Sequence, residues 1–194
     1  NHDLSIRELL TFVFDSFPKG LLAENTVAEV VDFMQARLAV LLQNDYPQDV
    51  VAAVLAQRPD RVNNLTAKLQ AVVQFKKLPE SAALAAANKR VQNLLKKSEG
   101  ALGNVDAALL QQDEEKALFA AVQDLQPKVQ AALDAQDFAA ALSALAAVKP
   151  QVDAFFDGVM VMADDAAVKQ NRLNLLNVLS NLLNAVADIA LLAE

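Results

Sequence analysis

The 194 residues are 54% apolar but only 5% aromatic, with four glycines and six prolines. Alanine, leucine, glutamine, glutamate and lysine favour helix, so the composition points to an all-α fold, and the length suffices for one large domain or two small ones. The absence of cysteine excludes disulfides and thiolate metal sites and fits a reducing, cytoplasmic setting, while a net charge of −7 argues by itself against a nucleic-acid partner.

Ser5-Ile6-Arg7-Glu8 has the spacing of a capping box and opens a short helix that stops near Phe17-Pro18-Lys19-Gly20. Thr26-Val27-Ala28-Glu29 is a second such box. Apolar residues from Val27 to Leu42 then recur at helical spacing, giving a long helix to about Gln43. Asn44-Asp45-Tyr46-Pro47 is a turn, a shorter helix covers Gln48 to Gln57, and Arg58-Pro59-Asp60 interrupts, with Asp60 expected to cap the next helix. Two helices follow, over Arg61–Lys77 and Glu80–Lys97, split by Pro79. Gly100 and Gly103 terminate the second. They form no phosphate loop, because no strand precedes them and no Lys-Ser/Thr follows. Helices resume over Val105–Leu110 and Glu114–Ala135, the latter kinked at Pro127. Asp137 caps another that runs to Phe156, and a final helix extends from Asp164-Asp165 to Leu192. The expected architecture is an all-α helical bundle. Residues 1–60 are read as N-terminal helices packing on a bundle formed by 61–194, with one continuous domain over 1–194 as the alternative.

The acidic total hides an uneven distribution. Eight of the 17 basic residues but only one of the 24 acids lie between Arg61 and Lys97. On a helical wheel of 100° per residue, Lys89, Arg90, Asn93, Lys96 and Lys97 share one face. Leu84, Ala87, Val91, Leu94 and Leu95 share the other. Such a cationic face suits phosphate, with Lys76 and Lys77 extending it. It also suits a solvated surface that pairs with acids elsewhere.

Between the last two helices the pattern breaks at Phe155-Phe156-Asp157-Gly158-Val159-Met160-Val161-Met162. Either these residues plug a gap around an Asp157-Gly158 turn, or they expose an apolar ledge on which an unstacked base could rest. On the final helix Leu175, Leu176, Leu179, Leu182, Leu183, Val186 and Ile189 form a core stripe, and Asn174, Asn177, Asn181 and Asn184 read as a solvated face. Arg172 lies near the stripe and needs a partner there. Asp157 or Asp164 is the expected one, bracing the loop against the helix. Catalysis has no constellation behind it: His2 is the sole histidine, and the acid runs Asp113-Glu114-Glu115 and Asp164-Asp165 suit helix starts. No apolar run approaches the ~18 residues of a membrane span. No signal-peptide pattern is visible, and Asn1 in place of Met reads as a piece of a longer protein.

The block Ala85-Ala86-Ala87-Asn88-Lys89-Arg90-Val91-Gln92-Asn93-Leu94-Leu95, the block Phe155 to Met162, and Asn171-Arg172-Leu173-Asn174-Leu175-Leu176 resemble the C-terminal region of bacterial glycyl-tRNA synthetase β subunits. So does the closing Ala187-Asp188-Ile189-Ala190-Leu191-Leu192, and Asp49 to Ala56 matches a helix upstream. The resemblance implies a helical anticodon-binding domain, of the type also attached to arginyl-tRNA synthetases, that grips the anticodon arm of tRNA(Gly). The Asp-Ala-Leu-Arg tetrapeptide that names this domain type is absent. Partners implied are tRNA(Gly), a glycine-activating α subunit and a second β subunit, with no DNA and no membrane. ATP and magnesium are expected on the α subunit, and no cofactor in this segment. The tRNA-binding candidates are then Lys76, Lys77, Lys89, Arg90, Asn93, Lys96, Lys97, Met160 and Asn171, with Asp157 and Arg172 as the brace. The alternative is a non-catalytic helical module that docks another protein.

Overall fold

A computed structural model describes residues 5–98 and 101–193. Among them are nine α-helices: α1 Ile6–Asp15, α2 Thr26–Leu42, α3 Gln48–Leu55, α4 Leu65–Phe75, α5 Ser81–Lys96, α6 Asp113–Asp134, α7 Phe138–Ala146, α8 Lys149–Gly158 and α9 Ala166–Leu183. Two 3-10 turns, Ala107–Leu109 and Ile189–Leu192, complete an all-α bundle with no named strand among the described residues.

The bundle is built around α9. A surface helix buries one stripe, whereas a helix buried all round must sit at the centre. On α9, Val168, Leu173, Leu175, Leu176, Leu179, Leu182 and Leu183 are buried, and so are Asn171, Arg172, Asn174 and Ser180. Helices α5, α6 and α7 surround it. Helix α4 packs on α7 and α3, and α8 packs on α6 and α5. Truncating one of the fully enclosed leucines, such as Leu176, would cost about 2–5 kcal/mol in lost transfer and cavity energy.

Several helix ends differ from the sequence expectation, each for a local reason. Val105–Leu110 is only a 3-10 turn, capped by the Asp106 carboxylate on the Ala108 N–H at 2.9 Å. The helix expected from Asp137 to Phe156 is two helices. Pro150 lacks a donor and its ring opposes the carbonyl four residues back, so it fits the first turn of a new helix and not the middle of an old one. Pro127, by contrast, lies within α6, which is one helix to Asp134; both Pro127 and Gln123, whose carbonyl loses its partner, face solvent. The last helix stops at Leu183. There the Asn184 side chain accepts from the Ile189 N–H at 3.2 Å, and the Asp188 N–H bonds the Ala53 carbonyl at 2.8 Å, turning the chain toward α3.

Asp137 caps α7 as expected, through the Ala140 N–H at 2.9 Å. Asp60 caps a helix too, but not the one after it. Helix α4 starts only at Leu65, and Asp60 accepts instead from the Arg7 N–H at 2.9 Å and from the Ser5 hydroxyl at the start of α1. Those hydrogen bonds hold the Asp60 carboxyl below its ordinary range. The Ser5 cap on Glu8 forms as expected. The second box does not form: Asn25 precedes α2 with no side-chain cap, and its amide donates to the Glu29 side chain at 2.6 Å instead. Gly100 lies outside the described residues.

Helix α3 shares the main core through Val50, Val51, Ala53 and Val54, although the sequence division at residue 60 groups it with the N-terminal helices. Helix α1 buries no side chain and α2 buries Val31 alone.

Candidate nucleic-acid interface

The cation-rich segment divides into two kinds of residue once folded. On α4 the charges serve packing. Lys76 pairs with Asp49 of α3, and the Lys68 ammonium lies 5.3 Å from the Phe138 ring centroid of α7, where burial pushes its pKa down. Lys77 is exposed and donates to Gln74 at 3.2 Å.

On α5 the wheel is realised. Leu84, Ala85 and Val91 are buried, while Lys89, Arg90, Asn93, Lys96 and Lys97 are exposed. Buried Asn88 marks the inner side: its amide donates to the Asn184 side chain at 2.8 Å. Gln92 reaches Asp188 at 2.8 Å. Neither acts on the outer face. None of the four cations on this face forms an ion pair among the described residues. Arg90 is placed by an aromatic ring instead. Its guanidinium carbon lies 4.2 Å from the Phe156 centroid, which seats α8 beside the cationic face.

The pattern-breaking stretch is part plug and part ledge. Helix α8 continues through Asp157 and Gly158, so the expected turn there does not form. Gly158 instead lets α6 approach closely: a Cβ there would stand 3.2 Å from the Glu114 side chain, which would have to give by a few tenths of an ångström. After it the side chains alternate. Phe155, Val159 and Val161 are buried, whereas Met160 is 75% exposed and Met162 49%.

Arg172 does brace this loop, though not through the expected acids. It donates from Nε to Glu115 at 2.7 Å and from Nη1 to the Met160 carbonyl at 2.9 Å. Asp157 and Asp164 are exposed and take no part. Glu115 is fully enclosed and also accepts from the Gln111 and Gln112 N–H groups at 3.0 and 2.8 Å. Burial pushes its carboxyl up, but the hydrogen bond and charge of Arg172, with those two N–H groups, outweigh burial and hold it below the ordinary range. The sequence showed Glu115 only as a first-turn acid. Nothing in its spacing marks a partner on a helix 57 residues on.

Asn171, a tRNA-binding candidate in the sequence, is buried and hydrogen-bonded within the bundle. Its amide accepts from the Asp106 N–H at 2.7 Å and donates to the Asp106 carbonyl at 2.9 Å, leaving it only 2% exposed. Asn174 does the same for the Gly103 N–H and the Asn104 carbonyl. Asn171 and Asn174, the latter expected on a solvated face, therefore clamp the 101–110 linker onto α9 and satisfy its backbone. Asn181 is exposed as expected.

No group of three potential metal ligands occurs among the described residues, and no described helix is long and apolar enough to cross a membrane. Residues 84–190 match the model of a known family, the DALR anticodon binding domain. The chain belongs to that family. The matched segment runs from α5 through the last 3-10 turn, so it contains both the cationic face and the braced loop. The domain is 72% identical over 193 residues to the glycine–tRNA ligase beta subunit of Neisseria meningitidis serogroup C, covering all of this chain and 28% of that subunit. It is 45% identical over 191 residues to that of Ralstonia nicotianae, covering 98% of this chain and 27% of the relative. A Neisseria gonorrhoeae sequence of the same name is matched over its full length, 75% identical over 126 residues and 65% of this chain. The chain thus spans little more than a quarter of the length of the first two relatives. These matches favour anticodon recognition over the protein-docking alternative.

Proposed function

We propose that this domain grips the anticodon arm of tRNA(Gly) for a two-subunit glycine–tRNA ligase. In that enzyme an α subunit would bind ATP and magnesium and activate glycine, and a second β subunit would complete the assembly in the cytoplasm. The observation that supports this most directly is the exposed α5 face, Lys89, Arg90, Lys96 and Lys97, which forms no ion pair among the described residues and lies within the family segment. Lysine and arginine on successive turns supply phosphate contacts, which give salt-dependent affinity without sequence preference. Lys77 extends the face, and Lys76 joins it to the extent that its pairing with Asp49 leaves its ammonium accessible. Asn93 adds a neutral donor and acceptor within the same arc, and Met160 offers an apolar surface for an unstacked base.

The test is a filter-binding titration of the intact ligase with tRNA(Gly) across a salt series. Changing Lys89, Lys96 and Lys97 together to glutamate is expected to weaken binding at least ten-fold and to reduce the log–log salt slope by about 0.7–0.9 for each phosphate that is no longer neutralised. An unchanged affinity and slope would remove α5 from the interface.

A further inference from the structure

Helix α1 has a broader apolar side than its neighbours cover. At about 100° per residue, Ile6, Leu9, Leu10, Phe12, Val13 and Phe14 fill an arc of roughly 200°, and Arg7, Glu8, Thr11 and Asp15 fill the rest. One flank of that arc, Ile6, Leu10 and Phe14, is half-buried. The other flank faces solvent: Leu9 is 50% exposed, Phe12 76% and Val13 43%. A helix of ten residues is marginal in water by propensity alone and holds through packing of its apolar side. Yet no side chain of α1 is buried.

Helix α2 repeats the pattern, with Phe33, Met34, Val40 and Leu41 exposed. Between α2 and the start of α1 lies an open groove of about 420 Å³, lined by Ile6, Val31, Met34, Leu38, Leu41 and Val62. Two arginines also border it. Arg37 lies 5.5 Å from the Phe33 ring centroid and Arg58 pairs with Asp32, so the groove suits an apolar occupant and not an anion. Ten of the fourteen exposed large apolar residues among the described ones fall between Leu9 and Val62. Exposure on that scale at one end of a bundle marks a surface that something covers.

Chain length points to the occupant. The 193 residues shared at 72% identity with the Neisseria meningitidis subunit are 28% of it and form its C-terminal part. Nearly three quarters of that polypeptide therefore lies ahead of the region matching α1. Ile6, the first residue of α1, lines the groove. A segment tethered at that point meets the groove at an effective concentration that a free partner does not reach. The family segment, 84–190, leaves α1 and α2 outside it.

We propose that the apolar side of α1 and the α1–α2 groove seat an apolar surface of the β polypeptide ahead of residue 1, fixing the anticodon-binding domain to the body of its own subunit. This goes beyond the tRNA-binding reading and does not depend on the α5 face.

The experiment uses the intact β subunit. A benzophenone-bearing phenylalanine analogue replaces Phe12 or Phe33 in turn, with the same analogue at exposed Lys128 as the control. After irradiation, cross-linked peptides are mapped by mass spectrometry. From positions 12 and 33 the cross-links are expected to land ahead of residue 1 within the same chain, keeping its monomer mass on a denaturing gel, and position 128 is expected to give none there. Cross-links to a second β subunit, to an α subunit, or only within residues 1–194 overturn the proposal, and so does the absence of any. A second measurement follows limited proteolysis of the junction ahead of α1. Phe12→Asp together with Met34→Asp is expected to speed cleavage there about ten-fold, because weaker docking opens the junction more often. On a free surface the same two exposed substitutions would leave the rate unchanged, and that result also overturns the proposal. Neither readout contains RNA, so the α5 reading stands or falls separately.

Discussion

Helices α5 and α9 look alike in sequence but turn their polar residues to opposite surroundings. Each carries arginine and asparagine among leucines. On α5 Arg90 and Asn93 are exposed, and on α9 Arg172 and Asn171 are buried and hydrogen-bonded. The residue types do not separate a binding group from a bracing one. What separates them is depth in the bundle, because a buried polar group must be satisfied internally while an exposed one keeps its capacity for a ligand.

The contrast breaks most sharply at Arg172. Arg172→Ala strands the enclosed Glu115 carboxylate and frees the Met160 carbonyl, so a loss of about 3–5 kcal/mol in unfolding free energy is expected from urea titration. The triple glutamate variant of α5 should leave the same titration nearly unmoved while affecting RNA binding. If Arg172→Ala unfolds at the wild-type midpoint, the brace carries no weight. Asn171→Ala comes next. It removes the acceptor of the Asp106 N–H and one of two donors to the Asp106 carbonyl, which keeps the Leu109 N–H, and a loss of about 1–3 kcal/mol is expected. Amide exchange at Asp106 should rise before exchange in α9, and unchanged exchange there would show that the linker is held by something else.

The smallest effect is on pH. The folded pKa of Glu115 lies below its unfolded value near 4.5. Its contribution is therefore complete above that value and lost as pH falls through the lower folded pKa. Thermal scans between neutral and acidic pH should show this loss in the wild type. They should show less of it in Arg172→Met, where the partner that depresses the pKa is gone. Parallel profiles would mean that the pair does not set the acid limit.

Much of the cationic face was legible in sequence. A helical period fixes which side chains point together, and eight basic residues against one acid leave a segment that its own acids cannot neutralise. Exposure of Lys89, Arg90, Asn93, Lys96 and Lys97 follows from those facts. The brace was legible only in part. Arg172 near an apolar stripe demanded a partner, but the nearest acids in sequence, Asp157 and Asp164, were the wrong choice because both point to solvent. Asn174 was misplaced because the apolar stripe of α9 looked one-sided, and burial of its other side depends on the 101–110 linker folding over it.

Local propensity, helical period and residue identity were enough for the all-α class, most helix positions, the inner and outer sides of α5 and the family. Other features emerge only when the helices pack: α9 is central, Glu115 answers Arg172, Asp60 caps α1, and Phe156 lies under Arg90. Each of these joins groups far apart along the chain, and no local spacing encodes which distant surfaces will meet.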